Sequence, residues 1–254
     1  MIANNKIALV TGGSRGLGKN MVLNIAKKGF DVIFTYNSKQ DEAALVVAEV
    51  LDMGQKAIAL QFDAGNVKSF DDFIEKVKTV LREMFNADHF DFLINNAGIG
   101  INTPFAETKE EDFDLLMNIH LKGVFFLTQK SLPILNDGGR IINLSTGLSR
   151  FSGPGYSAYA AMKGGIETLT KYMAKELGQR KITANVVAPG AIETDFGGGA
   201  VRDNEQYNNF VANATALGRA GLPEDIGGVV AFLCTEDARW INGQRIEVSG
   251  GMNL

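Results

Sequence analysis

Short apolar runs recur along the chain, and most of them are separated by segments with helical periodicity. The runs are rich in β-branched and aromatic residues and read KIALVT, DVIFTY, KAIALQF, FDFLIN, GRIINLS, ITANVVAP and GQRIEVS. Two of the segments between them, KNMVLNIAKKG and SFDDFIEKVKTVLREMF, have the spacing of an amphipathic helix. Near-continuous apolar strands joined by helices are typical of a parallel sheet covered on both faces. The pattern therefore predicts an α/β fold.

The 254 residues contain no low-complexity linker, short repeat or block of like charges. We therefore expect a single domain over residues 1–254. A net charge of −4 gives no reason to expect nucleic acid or an anionic membrane as a partner. The first apolar run is too short for a signal-peptide core, and no stretch approaches the roughly 18 apolar residues of a membrane span. These features favour a cytoplasmic location.

The counts of cysteine and histidine argue against several kinds of site. Cys234 is the single cysteine, so no internal disulfide is possible, and its apolar neighbours predict a buried thiol. His89 and His120 are the two histidines, and neither is near a cysteine or a pair of carboxylates in the sequence. We therefore expect no metal site, and catalysis by other side chains or by an organic cofactor.

A glycine-rich turn follows the first predicted strand. Gly12, Gly16 and Gly18 lie between KIALV and the first predicted helix, which is the context of a dinucleotide-binding turn. Glycine permits the tight turn and lets backbone amides approach a pyrophosphate at the positive end of the helix. A strand-to-helix turn without a ligand is the alternative.

Two further motifs lie later in the chain. Residues 95–98, NNAG, follow the fourth predicted strand, at the sheet edge where open α/β folds bind ligands, although asparagines there can also cap a turn. Tyr159 and Lys163 are four residues apart, which places them on one face of a helix. Taken alone, such a pair is more often an amphipathic contact than a catalytic one.

Together these motifs resemble those of the short-chain dehydrogenase/reductase family, and the resemblance covers essentially the whole chain. TGGSRGLG matches the family's cofactor turn, NNAG its strand-four motif, YAAMK its catalytic YxxxK and APG at 188–190 a later cofactor loop. The closing INGQRIEVSGGMNL is also similar. The resemblance implies a single-domain, Rossmann-type, doubly wound parallel sheet of about seven strands. It also implies a nicotinamide cofactor, a small-molecule carbonyl substrate and a homotetramer or homodimer.

The resemblance assigns Tyr159 as the group that exchanges a proton with the substrate oxygen. Lys163 would lower the pKa of the phenol through its positive charge and hydrogen-bond the nicotinamide ribose. The family's carbonyl-polarising serine usually lies 13 residues before the tyrosine, which here is Thr146. Threonine has the same hydrogen-bonding capacity. Ser145 is the alternative, and on a strand the two side chains point to opposite faces.

His120 stands where the family's fourth catalytic residue, an asparagine, is expected. The alignment rests on LKGVFFLTQ, whereas Asn118 is two residues earlier and is expected to face elsewhere. By resemblance, His120 would hold a water in a proton relay to the lysine. A packed helix residue without a catalytic role remains equally open.

The charge pattern predicts a preference for NADPH over NADH. NAD-selective members carry an acid about 18 to 20 residues after the glycine turn, but Tyr36 is there, and the first acid is Asp41. Arg15 lies inside the turn and could bind a 2′-phosphate with help from Ser38 and Lys39, unless these are only surface charges. By resemblance, the cofactor-contacting residues are Gly12, Ser14, Arg15, Gly16, Leu17, Gly18, Asn37, Ser38, Asp63, Ala64, Asn95, Ala97, Gly98, Tyr159, Lys163, Pro189, Gly190, Ile192 and Thr194.

By resemblance, residues 191–218 form a substrate lid, and the glycines within it would permit motion. The leading functional hypothesis is an NADPH-dependent reductase of a ketone or 3-oxoacyl group. An NAD-dependent alcohol or sugar dehydrogenase is the alternative. A dinucleotide-binding regulator without turnover is a third hypothesis, from a different class.

Overall fold

The computed structural model describes residues 5–254, which form one parallel sheet of seven strands in the order β3-β2-β1-β4-β5-β6-β7. The strands are β1 (Ile7–Val10), β2 (Asp31–Tyr36), β3 (Ala57–Gln61), β4 (Phe90–Asn95), β5 (Leu135–Leu144), β6 (Thr183–Pro189) and β7 (Arg245–Val248). Every neighbouring pair is parallel. The predicted doubly wound, Rossmann-type α/β fold is therefore confirmed.

Helices cover both faces of the sheet. They are α1 (Gly16–Lys27), α2 (Gln40–Asp52), α3 (Phe70–Phe85), α4 (Glu110–Met117), α5 (Gly123–Ser131), α6 (Ser157–Glu176), α7 (Ala200–Asp203), α8 (Glu205–Asn213) and α9 (Glu224–Leu233). Helices α1, α2 and α9 pack on one face, and α3, α5 and α6 pack on the other. None of the helices within residues 5–254 is long and apolar enough to cross a bilayer.

The alternation of side chains along each strand divides the core into two layers. In β1, Ala8 and Val10 pack with α1, α2 and α9, whereas Ile7 and Leu9 pack with the helices of the opposite face. All four side chains are buried. This two-sided burial explains why a central strand such as β1 is apolar without interruption.

The strand order reverses direction at β1, whose neighbours are β2 and β4. From such a switch point successive crossovers run to opposite sides, which leaves a crevice at the carboxyl ends of the strands. The glycine turn after β1, the NNAG segment after β4 and the residues after β5 all lie at this edge. The fold therefore brings the three motifs of the sequence together.

Candidate active site

The glycine turn is closed so tightly that side chains would not fit at two of its positions. A Cβ atom on Gly18 would lie 1.9 Å from the carbonyl oxygen of Gly12, and Gly12 itself has a φ of +67°, in the left-handed region. Asn96 braces the turn, because its Nδ2 donates to the carbonyls of Thr11 at 2.9 Å and Gly12 at 3.0 Å. The sequence therefore specifies this turn through the absence of side chains.

The two asparagines of the NNAG segment have different environments. Asn95 is only 4% exposed, and its Nδ2 donates to Thr128 and Asn143 inside the core. Asn96 faces the crevice and supports the glycine turn. The expected cofactor contact of Asn95 is therefore not available to its side chain, because β4 turns that side chain towards α5 and β5. Asn96 was not among the predicted contacts, and sequence alone does not show which of two adjacent amides faces inward.

Tyr159, Lys163 and Thr146 form a compact group at the end of β5. The two residues of α6 are one turn apart, and the Nζ of Lys163 lies 5.7 Å from the centre of the Tyr159 ring. Lys163 also donates to the carbonyl of Leu144 at 2.7 Å. The side chain of Thr146 lies close enough to the Tyr159 hydroxyl to influence its pKa. Tyr159 and Lys163 are buried, so this polar group is shielded from water.

Burial controls the protonation of both α6 side chains. Removal from water lowers the pKa of Lys163 from 10.5 to about 7. Removal from water also raises the pKa of Tyr159 above its usual value, and the interaction with Thr146 opposes this only in part. The net pKa of the phenol is therefore raised rather than lowered in this structure, because desolvation is the largest effect. At neutral pH the phenol carries its proton.

Ser145 does not face Tyr159. Its hydroxyl donates to Oε1 of Glu167 at 2.7 Å, and the hydroxyl of Ser149 donates to the same oxygen at 2.5 Å. Arg245 of β7 completes the cluster, because its Nε lies 2.7 Å from that oxygen and its Nη2 donates to the carbonyl of Thr146 at 3.0 Å. The segment that carries Thr146 is thus held by hydrogen bonds to Glu167 of α6 and Arg245 of β7.

The sequence analysis missed Glu167 and Arg245. Glu167 follows Lys163 by four residues, so it lies in the same row of α6 as the tyrosine and lysine. That spacing is a signal that could have identified it. Arg245 is separated from Glu167 by 78 positions, and no local pattern connects the two.

His120 is buried beside the tyrosine, in a π-helical turn (Asn118–Lys122) that joins α4 to α5. Its ring packs edge-on against that of Tyr159, with centres 5.1 Å apart. Its Nε2 lies 2.8 Å from the carbonyl oxygen of Ile99, whereas Nδ1 has no hydrogen-bond partner among the described residues. Burial and, secondarily, the charge of Lys163 lower the pKa of His120 from 6.5 to about 3. The imidazole is therefore neutral at working pH.

The remaining predicted cofactor contacts lie near the carboxyl ends of the strands or at the start of α1. Arg15 is half exposed, and its Nη1 lies 3.0 Å from Oδ2 of Asp195 in the segment after β6. Asp63 accepts from the backbone N–H of Gly65 at 2.9 Å, which is the turn-capping role that the residue type alone suggests. The others at the strand ends are Ser14, Leu17, Asn37, Ser38, Ala64, Ala97, Gly98, Pro189, Gly190, Ile192 and Thr194.

Two glycines make room for side chains across this crevice. A Cβ atom on Gly16 would lie 3.6 Å from the Thr194 side chain, so the turn and the segment after β6 face each other. A Cβ atom on Gly98 would lie 2.6 Å from the His120 ring. The histidine can therefore occupy its position only because residue 98 has no side chain.

A family model described as enoyl-(acyl carrier protein) reductase matches residues 12–253, nearly the whole chain. The chain belongs to the short-chain dehydrogenase/reductase family. As a short-chain dehydrogenase/reductase, it is an NAD(P)-dependent oxidoreductase.

Named relatives of this short-chain dehydrogenase/reductase include proteins described by different substrates. It is 36% identical over 257 residues to the hydroxynaphthalene reductase-like protein Arp2 of Metarhizium brunneum, covering 97% of this chain and 94% of that protein. It is 37% identical over 252 residues to the 3-oxoacyl-(acyl-carrier-protein) reductase FabG of Staphylococcus epidermidis, covering 98% and 100%. The crystal structure of the angucycline C-6 ketoreductase LanV with bound NADP matches with a TM-score of 0.93 at 35% identity, covering 98% of this chain and 95% of LanV.

The crevice of this short-chain dehydrogenase/reductase fits a dinucleotide. The absence of a side chain at Gly18 lets the start of α1 pack against the Gly12 carbonyl, so the glycine turn lies directly before the first amides of α1. Arg15 is the N-cap residue of α1, and its side chain makes no capping hydrogen bond to the helix. The first amides of α1 thus remain available to an anion such as a pyrophosphate.

Proposed function

We propose that the protein is an NADP(H)-dependent ketoreductase that converts a ketone or 3-oxoacyl carbonyl to an alcohol, with Tyr159 as the general acid. The observation that carries this proposal is the position of Thr146 beside the Tyr159 hydroxyl, next to the buried Lys163. Two hydroxyls that meet in this way can bind one carbonyl oxygen between them. The reductase names of FabG and LanV support the same reaction class.

Thr146, Tyr159 and Lys163 have different roles in the reaction at the substrate oxygen. A reduced nicotinamide, when bound, supplies a hydride to the carbonyl carbon. Thr146 donates a hydrogen bond that polarises the carbonyl, and Tyr159 delivers the proton. The raised pKa of Tyr159 keeps the phenol protonated, which is the form that a reduction needs. The nearby Lys163 stabilises the phenolate that is left after proton transfer.

His120 is proposed to replace the family's asparagine by holding the segment after β4. Its Nε2 lies within hydrogen-bonding distance of both the N–H and the carbonyl oxygen of Ile99. With the ring proton on Nε2, Nδ1 is a buried acceptor for a water on the way to Lys163. A His120→Asn variant with normal turnover and a His120→Ala variant with impaired turnover would support this role. Unchanged turnover in His120→Ala would leave only a packing role.

The preference for NADP(H) rests on the charges beside the glycine turn. Arg15, Ser38 and Lys39 are exposed around the place that an adenosine 2′-phosphate would take. Tyr36 at the end of β2 offers no carboxylate to the ribose hydroxyls of NAD. LanV was crystallised with bound NADP, which favours the same cofactor here.

Three broader features belong to the same proposal. Residues 191–218 form the substrate lid of a single domain that spans residues 1–254. The chain assembles as a homotetramer or homodimer, which would cover exposed apolar side chains such as Tyr172 and Trp240. The cytoplasmic location stays a prediction from the sequence.

The purified protein and a panel of ketones, with NADPH or NADH, test the function through loss of nicotinamide absorbance. The proposal expects turnover that favours NADPH and that Tyr159→Phe abolishes. Equal efficiency with both cofactors would contradict the NADP(H) preference. Faster oxidation of alcohols or sugars with NAD would favour a dehydrogenase. Full biological activity in Tyr159→Phe would favour a regulator without turnover.

A further inference from the structure

One aromatic side chain of the lid already covers the catalytic tyrosine. The rings of Phe196 and Tyr159 have centres 5.6 Å apart and are inclined at 54°. The same Phe196 ring lies over Gly100, where a Cβ atom would come within 2.7 Å of it. The space between Gly100 and the Tyr159 ring, here called the aromatic recess, therefore has the size and polarity of a flat apolar ring.

Further aromatic side chains surround this recess. Tyr156 packs against Tyr159 with ring centres 6.4 Å apart at 66°, and its side chain interacts with that of Tyr207 of α8. Tyr207 in turn stacks on Phe210. These rings come from the start of α6 and from the lid, so aromatic side chains of both segments lie around Tyr159. Contacts between aromatic rings favour a flat aromatic partner over a saturated one of equal size.

The ring of Phe196 is placed to be displaced by a ligand. Its side chain is 42% exposed, and it precedes Gly197, Gly198 and Gly199, whose φ angles of +61°, +76° and +79° suit glycine. Such a segment changes backbone angles at small cost. A ring of the substrate can therefore take the position that the ring of Phe196 holds.

The charges around the recess disfavour an acidic carrier protein. Helix α4, whose Leu116 packs in the same cluster as Tyr159, begins with Glu110, Glu111 and Asp112. Arg202, a cation of the lid, is paired with Asp195 and Asp203. Like charges across an interface oppose docking, so the recess favours a free small molecule.

We propose that the substrate is a fused-ring aromatic ketone, bound with its flat ring in the aromatic recess between Gly100 and Tyr159, rather than a 3-oxoacyl chain carried by a protein. This inference rests on the proposed ketoreductase function. It goes further than that function, because proton donation by Tyr159 does not by itself select one class of ketone.

The test compares 2-tetralone with trans-2-decalone, two bicyclic ketones of similar size that differ in the aromatic ring. We expect kcat/KM with NADPH to be about tenfold higher for 2-tetralone, from one to two added ring contacts. Equal or higher efficiency with the decalone would overturn the inference and leave the ketoreductase function intact. If neither these ketones nor others in the panel are reduced, the proposed function itself fails.

A Gly100→Ala variant tests the location of the ring. Its Cβ atom would intrude on the recess, and Gly100 does not have the positive φ at which alanine would be strained. We expect a tenfold loss of kcat/KM for 2-tetralone with unchanged NADPH affinity and melting temperature. Gly178→Ala, at an open position, is the matched control. Unchanged efficiency for 2-tetralone in a folded Gly100→Ala protein would overturn the proposed site.

A third comparison addresses the carrier. An acetoacetyl thioester is offered either on a small thiol, N-acetylcysteamine, or on an acyl carrier protein. We expect no gain in kcat/KM from the carrier and lower efficiency for both thioesters than for 2-tetralone. Faster reduction of the carrier-borne thioester than of 2-tetralone would overturn the inference in favour of a carrier-bound substrate.

Discussion

Ser145 and Thr146 are adjacent in the chain, but their hydroxyls have partners on opposite sides of the segment after β5. Ser145 donates to Glu167 at 2.7 Å, whereas the side chain of Thr146 lies beside the hydroxyl of Tyr159 and interacts with it. The alternation of side chains in extended backbone produces this division. The hydroxyl of Thr146 is left for the substrate, and the hydroxyl of Ser145 anchors the segment that carries Thr146.

This division predicts different effects for two similar substitutions. Thr146→Val keeps the shape but removes the hydroxyl, so we expect kcat for ketone reduction to fall about 100-fold. Thr146→Ser should remain within a few-fold of the wild type. Ser145→Ala should cost about 1 kcal/mol in the free energy of unfolding and change kcat less than threefold. Steady-state kinetics and urea unfolding measure these effects, and a reversed order would assign the catalytic hydroxyl to Ser145.

Two glycines in helices should respond oppositely to alanine. A Cβ atom on Gly18 would meet the Gly12 carbonyl at 1.9 Å, so we expect Gly18→Ala to destabilise the protein by about 3 kcal/mol or more and to abolish NADPH binding. Gly228 of α9 has open space around its Cβ position, so Gly228→Ala should stabilise by about 0.5–1 kcal/mol. Thermal unfolding measures both. Equal effects would mean that the turn is looser than the structure shows.

Most of the sheet could be predicted from the sequence because its strands are buried on both faces. The runs DVIFTY and FDFLIN coincide with β2 and β4. Strand β5 starts at Leu135, earlier than the run GRIINLS predicts. The residues LNDG are typical of a turn, but Leu135 pairs with Phe90 of β4. Local composition does not report such pairing.

The site was predictable to the level of motifs but not of side-chain direction. The motifs identified Tyr159 and Lys163 because their four-residue spacing is itself the chemical feature. The choice between Thr146 and Ser145, and the inward orientation of Asn95, depend on the side to which the end of each strand turns. The π-helical turn that carries His120 has no sequence signal that we recognised. Tertiary packing decides all of these features.

The pairing of Arg15 with Asp195 predicts opposite effects on cofactor affinity. Arg15→Ala should raise the KM and the dissociation constant for NADPH about tenfold or more through loss of a charge-assisted hydrogen bond, with little change for NADH. Asp195→Asn should lower both constants for NADPH by a few-fold. The exposed Arg15–Asp195 ion pair is worth about 0–1 kcal/mol, and without it Asp195 no longer competes with the 2′-phosphate for Arg15. Arg82→Ala, which breaks an exposed pair on α3, is the control. Fluorescence titration checks binding without turnover.

His120 should make the folded protein sensitive to mild acid. Burial lowers its pKa from 6.5 to about 3, so between these values the unfolded chain binds a proton that the folded chain does not. Stability from this group is therefore complete above pH 6.5 and is lost as the pH falls towards 3. At pH 5 the loss is about 2 kcal/mol.

A His120→Asn variant should lack this contribution. We expect its free energy of unfolding to fall by about 2 kcal/mol less than that of the wild type between pH 7.5 and pH 5. Urea unfolding at the two pH values measures the difference and cancels any constant cost of the substitution. His89→Asn makes the same change at an exposed position and should follow the wild type. If His120→Asn and the wild type lose the same stability, the imidazole is protonated in the folded protein, and its proposed role as a neutral acceptor beside Tyr159 fails.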